Sequence, residues 1–320
     1  MLSHYSFQSI AWAAAILIVG TQASAQDYPS KPVRIVVGEP GGGTDFMGRV
    51  IAQGLSTSLG LQAITENRGA GSVPLEYVFR APADGYTLLY HGPSLWMLPF
   101  LRTNVPWDPI QDFAPVTAAA SAPNIVVVSP SLPANSIREL ILLARAKPGE
   151  LNYGSGGSGS TPHLAAELFK AMAGVNILRI PYKGTGPAFI DLMANRVQVM
   201  FPSATSAAPN IKSGKVRALA VGSIEPSELA PGVPTVASSG LPGYESVSIF
   251  GVFAPAKTPD TIIRRLNQDI VRLLKTAEAK ERFFNAGTEA NGSSPEQLTA
   301  IMKSEMARLG KVIRDAGIRE

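Results

Sequence analysis

The sequence predicts an α/β protein with two lobes, each a β-sheet flanked by helices. Its 320 residues exceed the usual length of one domain, roughly 100–200 residues. Apolar residues make up 45% of the chain and charged residues only 16%, so there is enough apolar surface for buried cores, which argues against intrinsic disorder. Short apolar runs alternate along the chain with helical segments. Continuous runs of this kind are typical of parallel sheets covered by helices on both faces.

The first element along the chain is the apolar run at residues 10–19, which Gly20 closes. As a helix it would span about 15 Å, half of what a bilayer requires. Ala23-Ser24-Ala25 then provides an A-x-A cleavage site before Gln26. We therefore predict a signal peptide over residues 1–25, cleaved near Ala25/Gln26, and an exported mature protein. No Lys or Arg precedes Lys31, so an uncleaved anchor is the alternative.

Strands and helices follow in alternation. Apolar runs predict strands at residues 33–37, 87–90, 125–128, 197–201, 218–221 and 249–253. A helix is expected from the glycine loop at residues 40–43 through Leu59. Three later helices begin with a hydroxyl residue followed by proline, at Thr161, Thr258 and Ser294. The hydroxyl is expected to cap free backbone N–H groups, and proline suits the first helical turn. Gly317 is expected to close the last of these helices.

Two proline-punctuated stretches, residues 108–133 and 225–242, divide the mature chain. The block between them is predicted to be an inserted lobe. The expected division is residues 26–118 and 225–320 in lobe 1 and residues 119–224 in lobe 2. The two chain crossings between such lobes would form a hinge.

The most informative segment is YGSGGSGSTPHL, residues 153–164, which lies between a strand-like run and a helix. Gly154, Gly156 and Gly159 fit the dinucleotide pattern G-x-G-x-x-G, but the next strand-like run carries Arg179 and no acidic residue for a ribose. The lysine of a phosphate loop is also missing. Serine hydroxyls and backbone N–H groups at a helix start still form an anion site without a charged side chain. A carboxylate would suit this site; a flexible surface loop is the alternative.

A second loop with the same construction, residues 40–45, also lies between a strand and a helix. Two such loops, one per lobe, could face each other across a cleft and bind a small anion. A glycine cluster at residues 69–72 is a third candidate for this cleft. Asp45 either caps its own helix or accepts a hydrogen bond from a ligand.

Catalysis and cofactor binding find little support in the sequence. Cysteine is absent, which excludes thiolate metal sites and cysteine nucleophiles, and neither G-x-S-x-G nor H-E-x-x-H occurs. His91 and His163 are the only histidines of the mature chain, and His163 is expected either to pack in the fold or to contact a ligand. The net charge of +4 is spread thinly, without a run of basic residues, which does not describe a nucleic-acid binder. We therefore predict no cofactor, no metal and no nucleic-acid partner.

Several segments resemble one family along essentially the whole mature chain. They are PGGGTD (40–45), NRGAG (67–71), ADGYTLL (83–89), DFAPVT (112–117), LNYGSGGSGSTPHLAAELF (151–169) and IPYKGTGPAFIDLMANRVQVMF (180–201). Their order and spacing are similar to those of the Bug (TctC) receptors, the solute-binding components of tripartite tricarboxylate transport.

The resemblance implies a two-lobed, periplasmic-binding-protein-like fold of type II that closes on its ligand like a flytrap. It implies a small organic acid as ligand, held by backbone N–H groups of two loops and by ordered waters, a periplasmic location, and a membrane permease or a sensor protein as partner. An exported hydrolase or isomerase, with Asp45 or His163 as base, is the alternative function. The expected ligand-binding residues are Gly41, Gly42, Gly43, Thr44, Asp45, Gly71, Ser72, Ser94, Ser155, Gly156, Gly157, Ser158, Gly159, Ser160, His163, Tyr182, Lys183, Gly184, Pro187 and Ala188.

The chain departs from the family pattern in two places. The usual aromatic-containing PF-x-PGG is replaced by Gly38-Glu39 before Pro40, and the usual NRPGAGG lacks its proline at residues 67–72. The resemblance therefore implies that the aromatic lid over the ligand is missing. Glu39 is expected to disfavour a polyanion and to favour an amphoteric or monocarboxylate ligand.

Overall fold

The computed structural model describes residues 28–38, 40–41, 43–69, 71–157, 159–182 and 184–319. The predicted signal peptide lies outside these residues. Two mixed sheets flanked by helices form the described part of the chain. The strands are β1 (Val33–Val37), β2 (Ala63–Asn67), β3 (Thr87–His91), β4 (Phe113–Pro123), β5 (Ile125–Val128), β6 (Asn152–Ser155), β7 (Leu178–Pro181), β8 (Val199–Met200), β9 (Arg217–Val221), β10 (Val247–Pro255) and β11 (Glu289–Ala290).

Helices connect most of these strands. They are α1 (Gly43–Leu59), α2 (Val73–Phe79), α3 (Ser94–Leu101), α4 (Ile137–Ala146), α5 (Thr161–Ala173), α6 (Thr185–Met193), α7 (Ala204–Lys212), α8 (Asp260–Leu274), α9 (Ala277–Asn285) and α10 (Pro295–Asp315). In the part of the chain that the structure describes, no helix is both long and apolar enough to cross a bilayer.

The first sheet has the strand order β11-β4-β10-β3-β1-β2. Helices α1, α8 and α9 cover one of its faces, and α2, α3 and α10 cover the other. Strand β1 shows why its sequence is a continuous apolar run: Val33, Ile35, Val36 and Val37 have no exposed surface. A strand buried on both faces has no polar face to alternate with.

The second sheet has the strand order β7-β6-β8-β5-β9. Helices α4 and α5 pack on one face, and α6 and α7 pack on the other. The predicted α/β architecture with one sheet per lobe is therefore confirmed, including strands at all six of the predicted positions.

The expectation of parallel sheets is only half right. Strand β1 is parallel to β2 and β3, and β6 is parallel to β7 and β8, but β10 is antiparallel to β3 and β4. Strand β5 is likewise antiparallel to β8 and β9. The chain leaves the first sheet along β4 and returns along β10, so these neighbours run in opposite directions. Burial on both faces produces the same apolar runs in either orientation, so the sequence pattern does not distinguish them.

Strand β4 was missed by the sequence analysis. Its sequence, FAPVTAAASAP, contains Pro115 and Pro123, and we interpreted it as part of a linker. Most of the strand is nevertheless buried between β10 and β11. The predicted division between residues 118 and 119 falls within this strand, and the chain passes from one sheet to the other at Asn124.

Only one of the three predicted hydroxyl caps is present. Ser294 forms a capping box with Gln297 at the start of α10. Thr161 is instead the first residue of α5. The Thr258 hydroxyl donates to the Pro255 carbonyl at 2.7 Å and, within the described residues, accepts no hydrogen bond from an N–H group of its helix. In these two cases the cap position falls one residue away, on Ser160 and Pro259.

The two chain crossings between the sheets are joined by a buried network, which we call the junction: Asn124, Gly222 and Ser246. The Asn124 N–H donates to the Ser246 carbonyl (2.9 Å), and the Gly222 N–H donates to the Asn124 carbonyl (2.6 Å). The Asn124 amide nitrogen also donates to the Phe201 carbonyl at 2.8 Å. A β-carbon on Gly222 would lie 2.8 Å from the Ser246 carbonyl oxygen, closer than real β-carbons come to backbone. Glycine is therefore required for the two crossings to approach each other.

The junction yields a first prediction. Gly222→Ala should lower the free energy of unfolding by about 1–3 kcal/mol, because the added methyl group forces two hydrogen-bonded backbones apart. Urea denaturation measures the effect. Gly186→Ala is the matched control, since a β-carbon at Gly186 meets nothing within 4 Å in the first turn of α6. Equal destabilisation by both substitutions would contradict the role assigned to Gly222.

Candidate functional site

A cleft between the two sheets contains two adjoining cavities with lining residues from both. The neutral chamber has a volume of about 480 Å³ and is lined by Gly43 and Thr44 on one side and by Thr161, Thr185, Ser203, Thr205 and Ser206 on the other. The acidic chamber, about 370 Å³, is lined by residues 91–94 and Met97, by residues 159–162, Leu164 and Ala165, and by Glu245, Glu305 and Arg308. Both volumes are in the range of small-molecule sites.

The chambers share four lining residues, which therefore mark where they meet. These are Thr44, Thr161, Pro162 and Phe250. Thr44 belongs to the first glycine loop and helix α1, whereas Thr161 and Pro162 begin α5 after the second loop. The two predicted loops therefore face each other across open space and are not separated by packed side chains.

Helix N-termini surround the neutral chamber. Its lining includes residues from the first turns of α1, α5, α6 and α7. First-turn N–H groups have no partner within their own helix, and the helix dipole places partial positive charge there. None of the described residues that line this chamber has an ionisable side chain. The chamber therefore offers hydrogen-bond donors and a positive potential without a fixed cation, which suits a carboxylate.

Asp45 holds the first loop in place. Its carboxylate accepts hydrogen bonds from the Gly41 N–H (2.9 Å) and the Asn67 amide (3.0 Å), and it pairs with Arg49 at 3.0 Å. Burial alone would raise the pKa of Asp45, but these hydrogen bonds and the Arg49 charge outweigh it and hold the pKa below its ordinary value. The Asp45 carboxylate is thus engaged by the loop before its own helix, by Asn67 and by Arg49.

Arg179 holds the start of the second loop. Its Nε donates to the Ser155 hydroxyl at 2.9 Å, and its guanidinium donates to the Gly156 carbonyl at 2.6 Å. The side chain of Ser155 is thereby engaged inside the protein. Arg179 thus supports this loop, although the sequence analysis had noted it only because its strand lacks an acidic residue that could bind a ribose.

His163 holds the end of the same loop. Its Nδ1 accepts a hydrogen bond from the Gly159 N–H at 3.0 Å, and the residue is 4% exposed. Burial, reinforced by the positive charge of Arg179, lowers the pKa of His163 to about 4, although Glu167 opposes the shift. His163 is therefore a neutral, packed histidine that positions the loop. The expectation that it contacts the ligand, or acts as a base, is not supported by this geometry.

Gly159 completes the second loop in a conformation that favours glycine, with φ of 72°. A β-carbon there would also lie 2.3 Å from the Leu101 side chain at the end of α3. Beside it, the Ser160 hydroxyl oxygen is buried and forms no hydrogen bond within the described structure. Ser160 is also a lining residue of the acidic chamber.

Five of the predicted ligand-binding residues line the chambers: Gly43, Thr44, Ser94, Gly159 and Ser160. Gly42, Ser158 and Lys183 lie outside the described residues, as does Glu39. The remaining predicted residues line neither chamber: Gly41, Asp45, Gly71, Ser72, Ser155, Gly156, Gly157, His163, Tyr182, Gly184, Pro187 and Ala188.

Three of the predicted residues that line neither chamber have contacts elsewhere. Ala188 is fully buried in the core under α6, and the Tyr182 hydroxyl donates to Asp191 at 2.7 Å. The Ser72 hydroxyl donates to Glu76 at 3.0 Å, on the loop before α2. Their side chains stabilise the loops or the core around the cleft.

Sequence reasoning missed the contributions of α7 and β10. Ser203, Thr205 and Ser206 follow β8 and open α7, the same strand-to-helix position that the glycine loops occupy. That position was the available signal, but the segment contains no glycine. Phe250 on β10 provides an aromatic wall to both chambers. The family resemblance had implied that the aromatic lid of the first loop is missing, and it gave no indication that Phe250, far along the chain from that loop, lines the cleft.

Two contacts join other parts of the chain to the segment around Gly287 and Glu289. The Thr205 hydroxyl, on the half with the second sheet, donates to the Gly287 carbonyl. The Ser227 hydroxyl, in the segment that connects β9 to β10, donates to Glu289 at 2.5 Å. Within the residues that the structure describes, no group of three or more His, Asp or Glu side chains is placed to hold a metal ion.

Comparisons with known proteins agree with this geometry. A family model described as the tripartite tricarboxylate transporter family receptor matches residues 47–318. Protein BugT of Bordetella pertussis is 35% identical over 306 residues, which cover 94% of this chain and 94% of BugT.

Two solved structures show the same fold. The structure of an R. palustris protein with adipate has a TM-score of 0.76 at 37% identity and covers 92% of this chain and 99% of that chain. The periplasmic binding protein BugD has a TM-score of 0.72 at 30% identity and covers 91% of this chain and 99% of that chain. The periplasmic-binding-protein-like fold is thereby confirmed.

The Asp45 network predicts an acid-sensitive loop. Because the pKa of Asp45 is lower in the folded protein than in the unfolded chain, its stabilisation is present above about pH 4 and is lost as pH falls further. Asp45→Asn should cost about 1–3 kcal/mol in the free energy of unfolding at pH 7, and much less at pH 3. Urea denaturation at both values checks this. Asp260→Asn, at an exposed first-turn aspartate of α8, should show neither effect.

His163 predicts a contribution of the same sign over a different pH range. The unfolded chain binds a proton near pH 6.5, whereas the folded protein resists it until about pH 4, so stability falls as pH drops between these values. His163→Gln retains an acceptor for the Gly159 N–H and should remove about 2–3 kcal/mol of the loss between pH 7 and pH 4.5. Burial also lowers the pKa of His91 to about 4. Part of the pH dependence of stability should therefore remain in the variant. Identical pH profiles for parent and variant would contradict a neutral His163.

Proposed function

We propose a ligand class, a location and a partner for this chain, which belongs to the tripartite tricarboxylate transporter receptor family. The members of this family are solute-binding receptors, and the chain is a receptor rather than an enzyme. The protein binds a small carboxylate in the cleft between its two sheets and releases it chemically unchanged.

One observation carries the proposal: four helix N-termini converge on a chamber without ionisable side chains among its described lining residues. Neutral donors aimed at one point bind an oxyanion well once water is excluded, because hydrogen bonds strengthen at low dielectric. A Lys or Arg side chain in the cleft would need a counter-ion whenever no ligand is bound, whereas backbone N–H groups need none. The adipate found with the R. palustris relative is a carboxylate of this kind.

Closure of two lobes completes the site. We take residues 28–123 with 247–319 as one lobe and 125–221 as the other, joined through Asn124 and the segment before β10. The ligand then holds the lobes together at Thr44 on one side and Thr161 on the other, and the contacts at Thr205 and Ser227 accompany the closed form.

The location and the partner follow from the N-terminal segment and the family. Residues 1–25 direct export, and the mature receptor works in the periplasm, where it delivers its ligand to a membrane permease of the tripartite tricarboxylate type. The description of the family names a transporter, which favours a permease over the sensor protein that the sequence also allowed.

A thermal-shift comparison tests the ligand class. Carboxylic acids of increasing size are compared with their uncharged amides, which match them in shape. At 100 times its dissociation constant, a carboxylate ligand should add about 2.7 kcal/mol to the free energy of unfolding, whereas its amide adds little. Equal stabilisation by acids and amides, or none by any acid, would overturn the proposal.

Two tryptophan variants on α7 locate the site. Ser206 is exposed at the chamber wall, and Ser206→Trp should fill that wall and weaken binding of the best acid at least tenfold. Ala208, exposed on the same helix, does not line the chamber, and Ala208→Trp should leave binding unchanged. Isothermal titration calorimetry measures both. Unchanged affinity in Ser206→Trp would move the site elsewhere.

A further inference from the structure

The acidic chamber differs from the neutral chamber in its charges. Its lining contains two carboxylates, Glu245 and Glu305, and one guanidinium, that of Arg308. Arg308 already donates to the Glu245 backbone carbonyl. His91, at the rim, is held neutral at physiological pH because burial lowers its pKa to about 4. When Glu305 is ionised, this end of the cleft therefore has an excess of negative charge.

Glu305 is the most unusual group in this chamber. It lies on α10, it is 7% exposed, and its Oε2 accepts a hydrogen bond from the Trp96 indole at 2.7 Å. No hydrogen bond to its Oε1 is formed within the described structure, although the residue lines the cavity. A buried carboxyl with one satisfied oxygen retains the capacity to accept a donor.

Much of the remaining lining of the chamber is apolar. Its walls include Met97, Leu164, Ala165, Val247, Phe250 and Leu309. The Ser160 hydroxyl, buried and without a hydrogen-bond partner in the described structure, lies on the same lining. An unsatisfied buried hydroxyl is unfavourable by about 1–3 kcal/mol, so a polar group of a ligand beside it would restore that loss.

We infer that the ligand is an elongated monocarboxylate whose apolar body ends in a hydrogen-bond donor, a hydroxyl or an ammonium group, that meets Glu305 in the acidic chamber. The inference rests on the proposed function, since the carboxylate end occupies the neutral chamber. The two chambers adjoin at Thr44, Thr161 and Phe250, so one molecule extends through both. A second carboxylate at the far end would face Glu245 and Glu305, and like charges at low dielectric repel strongly.

Burial raises the pKa of Glu305 to about 7, and the nearby Glu245 raises it further, although Trp96 and Arg308 lower it. Glu305 therefore gains its charge as pH rises from about 6 to about 8. An ammonium tip should bind more tightly over this interval, because its own charge does not change there.

Matched acids from butanoate to octanoate test the inference by calorimetry on the mature protein. At each length the unsubstituted acid is compared with its ω-hydroxy and ω-amino derivatives and with the diacid of equal length. At the length that binds best, the ω-hydroxy or ω-amino acid should bind at least ten times more tightly than the diacid. Diacids that bind as tightly at every length would overturn the inference while leaving the receptor function standing. Failure of every acid would overturn both.

Two variants on α10 then assign the preference to Glu305. Glu305→Gln retains an acceptor for Trp96 and should abolish both the preference for the donor tip and the pH dependence of the ω-amino acid between pH 6 and pH 8. Glu296→Gln, at an exposed glutamate of the same helix that lines neither chamber, should preserve both. A Glu305→Gln variant that still prefers the ω-hydroxy or ω-amino acid to the diacid by the same factor would contradict the role of Glu305. The comparison of ligands on the unaltered protein stands even if this variant does not fold.

Discussion

The structure depends on one constraint: backbone N–H groups at a helix start need acceptors from outside the helix. Four helices begin at the neutral chamber, and no described side chain with a negative charge lines it to neutralise them. Such a cleft is stable with water in it and more stable with a carboxylate. Binding then requires no charged residue in the cleft. The proposed binding of an anion is therefore compatible with a chain in which only 16% of the residues are charged.

The ionisable residues near the loops support the cleft from behind. Asp45, Arg179 and His163 each form a hydrogen bond with the backbone of a glycine loop. Glycine residues lose more conformational freedom on ordering than other residues do. Loops rich in glycine therefore need contacts with the rest of the protein to keep one conformation. Preordered loops present their N–H groups without a further entropic cost when the ligand arrives. These three side chains thus act on the ligand through the backbone that they hold.

The sequence predicted the parts of this arrangement that are local. Apolar runs located β1 and β5, and the glycine-rich segments located two loops that do meet at Thr44 and Thr161. It did not locate β4, because Pro115 and Pro123 suit an irregular segment as well as a strand with an irregular register. It also did not find Phe250, and it left the roles of Asp45 and His163 open between two alternatives each, since these depend on partners that only the folded chain brings together. The hydrogen bond from Asn67 to Asp45, for example, joins two residues 22 positions apart, and no sequence pattern predicts it.

The two ends of the cleft are built by different parts of the chain. Loops that belong to the recurring family pattern form the neutral chamber, whereas α10 and the crossing segment before β10 contribute Glu305, Arg308 and Glu245 to the acidic chamber. Substitutions on α10 can therefore change what lies at the far end of a ligand without disturbing the capture of its carboxylate. Because α10 packs against both α3 and α5, it also contacts each half of the molecule. The same helix thereby links the chemistry of the distal ligand group to the relative position of the two sheets.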